Sequence, residues 1–185
     1  GTDLVIYTIA AKKDNPELNE ARDRGIKTLS YPQALGIISQ EKFTIAIAGT
    51  HGKTTTTAMV GKIVRDAGLS PTIIVGSLLK EGGSNFVSGD SEIFIVEACE
   101  YRRSFLHLSP DVLVITNIDN DHLDYYGDLR GVQNGFLELV EKMGPGNFII
   151  TDPSNSHVAP VLKKATPKII DYTQYNGSGL DIKLP

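Results

Sequence analysis

The sequence predicts an α/β fold built on a mostly parallel sheet that carries a phosphate-binding loop. Three observations lead there. Short β-branched runs alternate with amphipathic stretches along the 185 residues, the order that βαβ units produce. Several of the runs are apolar throughout, as strands covered on both faces are. The best of them, FTIAIA at 43–48, runs straight into a glycine turn and then a helical pattern.

The elements follow in chain order. Residues 3–9 (DLVIYTI) read as a buried strand, and 16–24 (PELNEARDR) as a helix with Pro16 in its first turn and Gly25 just past its end. A short strand at 26–29 and a helix at 32–39 lead to the strand at 43–48. A helix from about 53 to 67 closes at Gly68, and strands follow at about 71–75, 92–97 and 112–116. The polar, Gly/Ser-rich stretch 77–91 reads as a loop or an exposed hairpin. A helix at 130–142 stops before Gly144-Pro145, and a strand at 147–151, a helix at 156–164 and a strand at 168–172 complete the pattern. The tail 173–185, with Asn176-Gly177 and Gly179, reads as a hairpin edge. Two units result: 1–40 as the end of a Rossmann-like α/β domain, and 41–185 as a second, truncated one. The abrupt start at Gly1 and stop at Pro185 read as those of a piece of a larger protein.

Composition narrows the function classes. With 18 Lys+Arg against 22 Asp+Glu, the formal charge is −4, which speaks against a phosphate-neutralising nucleic-acid surface. No apolar run reaches the about 18 residues of a membrane span, and the N-terminus lacks a signal-peptide layout. A single cysteine, Cys99, excludes an internal disulfide and a multi-cysteine zinc site; no general base adjoins it, so it reads as a small packed residue. These features lead to the expectation of a cytoplasmic protein with no nucleic-acid or membrane partner.

Residues 43–57, FTIAIAGTHGKTTTT, carry the strongest chemical signal. Gly49-Thr50-His51-Gly52 makes a tight turn after the strand, and Lys53-Thr54-Thr55 open the helix. Glycines let backbone N–H groups converge on an anion, and the helix N-terminus adds unpaired donors and the positive end of its dipole. Lys53 is placed to reach the β- and γ-phosphates, and the Thr54 hydroxyl to coordinate Mg²⁺. The general phosphate-loop pattern has a glycine where this chain has Ile47, so this loop is a shorter form.

In open α/β sheets ligands gather at the carboxyl ends of strands. EIFIV at 92–96 ends at Glu97-Ala98-Cys99-Glu100, and VLVIT at 112–116 ends at Asn117-Ile118-Asp119-Asn120-Asp121-His122. A carboxylate beside Thr54 completes a hard-oxygen Mg²⁺ site, and Glu97, directly at the strand end, fits better than Glu100. His122 is a candidate for a second metal or for the transferred phosphoryl group, with a turn residue as its plainer reading. Asp121 and Asp124 read as cap and surface residues. His107 and His157 receive no role.

Together GTHGKTT at 49–55, EACEYRRSF at 97–105 and TNIDNDHLDYY at 116–126 resemble the ATP-dependent Mur ligase family, and DLVIYTIAAKKDNPELNEARDRGI at 3–26 resembles the end of that family's UDP-binding domain. The resemblance implies an ATP- and Mg²⁺-dependent amide ligase of peptidoglycan precursor synthesis, acting through an acyl phosphate. His51 within GTHGKTT is similar to the branch that uses UDP-N-acetylmuramate, which implies addition of L-alanine or, alternatively, of a recycled tripeptide. By the same resemblance Lys53 holds the phosphates, Thr54 and Glu97 bind one Mg²⁺, His122 helps to bind a second, and Asn85 lies near the phosphate end. EACEY stands where many members have EADES, so Glu97 is retained while position 99 carries cysteine in place of aspartate. The loop for the UDP-sugar, the adenine-contacting segment and the amino-acid-binding domain would lie outside this chain, which is expected to be inactive by itself. A nucleotide-binding module without ligase chemistry is the reading from another class, and the chain has no guanine-reading Asn-Lys-x-Asp.

Overall fold

The computed structural model describes residues 1–78 and 83–175. Within them the strands form two sheets. In the smaller, β1 (Leu4–Tyr7) lies parallel to β2 (Lys27–Ser30), joined by α1 (Pro16–Asp23). Asn15 caps α1 by accepting from Leu18 N, and Gly25 leaves it at φ +68°, a left-handed angle that suits a residue without Cβ. α2 (Tyr31–Glu41) begins in a capping box in which Ser30 and Gln33 exchange side-chain-to-backbone bonds.

The larger sheet has seven strands in the order β5-β4-β6-β3-β7-β8-β9. Its strands are β3 (Phe43–Ala48), β4 (Thr72–Ile74), β5 (Phe86–Val87), β6 (Ile93–Glu97), β7 (Val112–Ile115), β8 (Phe148–Thr151) and β9 (Lys168–Asp171). Every pairing is parallel except β4 with β5, so the predicted mostly parallel α/β sheet is what the chain forms. β3 is central: Ile47 stands opposite Glu97 on one side and Val114 on the other. The helices are α3 (Lys53–Asp66), α4 (Leu123–Tyr126), α5 (Leu129–Glu141) and α6 (Ala159–Leu162).

Strand alternation divides the core. Ala46 and Ala48 join Phe94, Phe105 and Phe136 in one cluster, and Ile45 and Ile47 join Val64, Ile73 and Ile95 in the other. The two alanines leave room for the rings, of which Phe105 and Phe136 meet edge to face at 5.1 Å. Fully buried phenylalanines of this kind are each worth about 3–5 kcal/mol against alanine. On the face away from α5, Val112, Val114, Phe148, Ile150 and Ile170 are only half-buried.

The structure departs from the predicted elements first at 3–9, where the strand expected as buried is Leu4–Tyr7 with Leu4 and Ile6 exposed. The helix expected at 156–164 shrinks to Ala159–Leu162, because Asn155 Oδ1 draws the amides of His157 and Val158 into a turn instead. A 3₁₀ turn at Tyr101–His107 and the short α4 were not foreseen. The stretch 77–91 meets the hairpin expectation: it contains β5, returning antiparallel on β4, with 79–82 outside the described residues. After a 3₁₀ turn at Tyr172–Gln174, the part of the expected hairpin edge from 176 onward also lies outside them. Among the described residues, no helix is long and apolar enough to cross a membrane.

Candidate phosphate and metal site

β3 delivers the loop to the carboxyl edge of the sheet. Gly49 adopts φ +135° and Gly52 φ +82°, and a Cβ on Gly49 would stand 2.0 Å from Thr116 Oγ1 and 3.0 Å from Asn117 O. Glycine is therefore required there both by angle and by space. The loop is strapped to the segment after β7. Thr50 N donates to Asn117 O at 3.0 Å, and His51 N to Asn117 Oδ1 at 2.9 Å. The Asn117 amide and the Thr116 hydroxyl both donate back to His51 O, and Thr50 Oγ1 accepts from Asp119 N at 2.8 Å.

Two amides of the expected cradle, Thr50 and His51, are thus spent within the chain. Further donors belong to the helix. Asn15, Ser30 and Asp128 cap α1, α2 and α5, but no side chain caps α3, whose N-cap is Gly52. Thr56 N bonds back to Gly52 O, so the amides of Lys53, Thr54 and Thr55 are those left without an intrahelical acceptor. They sit at the positive end of a 14-residue helix.

Lys53 folds back over this end. Its Nζ donates to Gly49 O at 2.6 Å, Thr50 O at 3.1 Å and Glu100 Oε1 at 2.9 Å. Thr54 Oγ1 donates to Glu97 Oε1 at 3.0 Å, and Glu97 Oε2 accepts from Gly76 N at 2.6 Å. The predicted pairing of Thr54 with Glu97 is therefore made, and its hard oxygen donors suit Mg²⁺. Asn85, exposed, lies beside this corner through its carbonyl, which accepts from Val75 N at 3.0 Å.

His122 belongs to a neighbouring cluster. It sits at φ +51° with its ring 4.8 Å from that of Tyr101. Its Nε2 is 3.7 Å from Glu100 Oε1. Ligand atoms of Glu100, Asp121 and His122 lie within 4.8 Å of one another, an arrangement able to hold a cation. Asp121, expected as a cap or surface residue, caps no helix: it accepts from His122 N at 2.7 Å, and α4 has no side-chain cap. Asp124, by contrast, stands on the surface in the first turn of α4.

Glu100, set behind Glu97 as the carboxylate beside Thr54, meets Lys53 instead. Its residue is 1% exposed, held inward by the 3₁₀ turn that follows and by Tyr126, whose hydroxyl donates to Glu100 O. Burial pushes the Tyr126 phenol up, keeping it a proton donor. Cys99 is more open than a packed residue and lines a cavity of about 340 Å³ with Thr8, Tyr31, Gly76 and Glu97. Burial of the sulfur, with the Glu100 and Glu97 charges adding to it, pushes its thiol up. His107 is exposed; His157 Nδ1 meets Ile118 O at 2.9 Å.

A mostly parallel sheet with a short glycine loop, an uncapped helix behind it and a Lys–Thr–carboxylate set at its edge defines an α/β domain of the phosphate-loop type. Residues 47–183 match the Mur ligase middle domain, and the chain belongs to that family. It is 42% identical over 171 residues to the UDP-N-acetylmuramate–L-alanine ligase of Caldicellulosiruptor bescii, covering 92% of this chain and 38% of that protein. It superposes on the UDP-N-acetylmuramate:L-alanyl-γ-D-glutamyl-meso-diaminopimelate ligase from Neisseria meningitides with TM-score 0.80, at 25% identity over 90% of this chain and 57% of that one. With UDP-N-acetylmuramate–alanine ligase from Thermotoga maritima the TM-score is 0.70, at 30% identity over 86% of this chain and 37% of that one.

Proposed function

We propose that this chain is the phosphate-handling part of an ATP- and Mg²⁺-dependent amide ligase that joins L-alanine to UDP-N-acetylmuramate in the cytoplasm. The observation that carries the reading is the convergence of Lys53, Thr54 and Glu97 on the uncapped start of α3. On this reading residues 1–40 end a UDP-substrate domain and 41–185 belong to the central ATP domain, in keeping with the two separate sheets. The 42% identity to an L-alanine ligase supports L-alanine over the tripeptide, whose ligase is 25% identical.

The residues divide the work. The amides of Lys53, Thr54 and Thr55 receive phosphate oxygens at the helix end, and the Lys53 ammonium neutralises charge on the phosphoryl group in transfer. Thr54 and Glu97 would hold Mg²⁺, which supplies charge neutralisation at the phosphates. His122, grouped with Glu100 and Asp121 in an arrangement able to hold a cation, would help to bind a second Mg²⁺, and Asn85 would border the phosphates. An acyl phosphate survives only where water is excluded, and ligation needs carboxylate, phosphate and amine in line. Domain closure is the usual means, so this chain alone is expected to bind Mg-nucleotide weakly if at all and to ligate nothing.

The test of the substrate is ATP consumption by the longer ligase containing this chain, with UDP-N-acetylmuramate and either L-alanine or the tripeptide. Turnover with L-alanine is expected, and turnover with the tripeptide alone would reverse the choice.

A further inference from the structure

Glu100 lies where the phosphate loop meets the segment after β7. Its side chain is 2% exposed, against 13% for Lys53, and both carboxylate oxygens lie 2.9 Å from Lys53 Nζ. Oε2 has no hydrogen-bond partner among the described residues. An ammonium has three protons to give, and those of Lys53 go to Gly49 O, Thr50 O and Glu100. A phosphate that is to be bound by Lys53 must displace one of these acceptors. Two are neutral carbonyls; the third is charged and withdrawn from water, and charge-assisted bonds are the stronger kind.

The backbone holds Glu100 there against strain. Arg102 and Arg103 both adopt left-handed angles, φ +50° and +58°, which side chains with a Cβ rarely take up. The sharp turn is pinned by Phe105 N to Cys99 O at 2.9 Å, by Tyr126 on Glu100 O and by the Arg103–Glu138 pair. Such local strain persists only where surrounding contacts over-determine it.

Building on the nucleotide reading above, we infer that Glu100 is the positioning residue of Lys53: it holds the ammonium over the loop and, by competing for it, sets how tightly the loop takes a polyphosphate. Loosening the pair therefore strengthens nucleotide binding in the absence of metal. A carboxylate that served only packing would weaken binding when altered, or leave it unchanged.

The experiment is calorimetric titration of the longer ligase containing this chain with ADP in the presence of a chelator, for the parent, Glu100→Gln and Glu100→Asp, with melting curves confirming that each is folded. Glu100→Gln is expected to bind about tenfold more tightly, in the range of close charge-pair couplings. Glu100→Asp keeps the charge but draws it back by one methylene, and is expected to bind about threefold more tightly. If the glutamine variant fails to fold, the aspartate variant carries the test. Equal or weaker binding by the variants overturns the inference. So does tightening confined to glutamine, which would mean that Glu100 merely repels the nucleotide. Absence of ADP binding by all three, parent included, overturns the nucleotide reading itself and the inference with it.

Discussion

The two ends of the seven-stranded sheet both bury polar side chains and use them in opposite ways. At the amino ends of β3 and β7, Thr44 N donates to Asp111 Oδ2 at 2.8 Å and Thr44 Oγ1 to Ser39 O at 3.1 Å. Ser39 Oγ donates to Gly36 O at 2.7 Å and accepts from Ser109 N at 3.0 Å. All but the Ser39–Gly36 bond, which lies within α2, tie one element to another. At the carboxyl ends the same kinds of groups are drawn up around an uncapped helix and a buried ion pair, and Gly49, Gly52, Arg102, Arg103 and His122 all have positive φ. A buried polar group thus stabilises a fold where its partners are fixed. Where its partners can be exchanged for a ligand's, it serves binding.

The largest effect that tests this contrast is at Lys53. Lys53→Met removes the cation of the loop and leaves Glu100 buried without its counter-charge. ADP binding is expected to fall about 100-fold or more, and stability by about 3–5 kcal/mol, read by calorimetry and urea denaturation. Next comes the opposite end. Asp111→Ala strands the Thr44 amide, with an expected cost of about 1–3 kcal/mol and unchanged ADP affinity. A loss of affinity there would erase the distinction between the two ends.

A smaller change sharpens the Thr54–Glu97 corner. A Cβ on Gly76 would stand 2.7–2.8 Å from the Glu97 carboxylate. Gly76→Ala is expected to push that carboxylate aside and to raise the Mg²⁺ concentration needed for Mg-ADP binding about tenfold, in an Mg²⁺ titration, while metal-free binding holds. The smallest effect concerns Cys99. With its thiol pushed up by burial, less thiolate is present at a given pH than for free cysteine. Alkylation is expected to lag free cysteine near pH 8 and to catch up as the pH rises. A rate inflection at or below that of free cysteine would contradict the burial argument. A thiol whose pKa is raised by folding also contributes stability that is lost at high pH, as the folded group ionises.

The difference between the ends also sorts what could be read in the sequence. β3 falls on residues 43–48 as predicted, because FTIAIA is apolar on both faces and stops at a glycine whose angle only the turn explains. The Thr54–Glu97 contact was legible from strand ends alone, since β3 and β6 lie side by side in register. Glu100 was not, because its burial depends on left-handed angles at two arginines, residues that give no turn signal. The strap from Thr116 and Asn117 to His51 depends on the pairing of β3 with β7, which no local pattern encodes. Asp121 joined Glu100 and His122 for the same reason.

The central claim is that nucleotide phosphates bind at the start of α3, and amide chemical shifts of ¹⁵N-labelled chain titrated with Mg-ADP test it most directly. The account predicts the largest shifts at Gly52, Lys53, Thr54 and Thr55, with Ser39, Thr44 and Ser109 unmoved. Saturation with the α3 amides still and the shifts gathered at the other end of the sheet would contradict it.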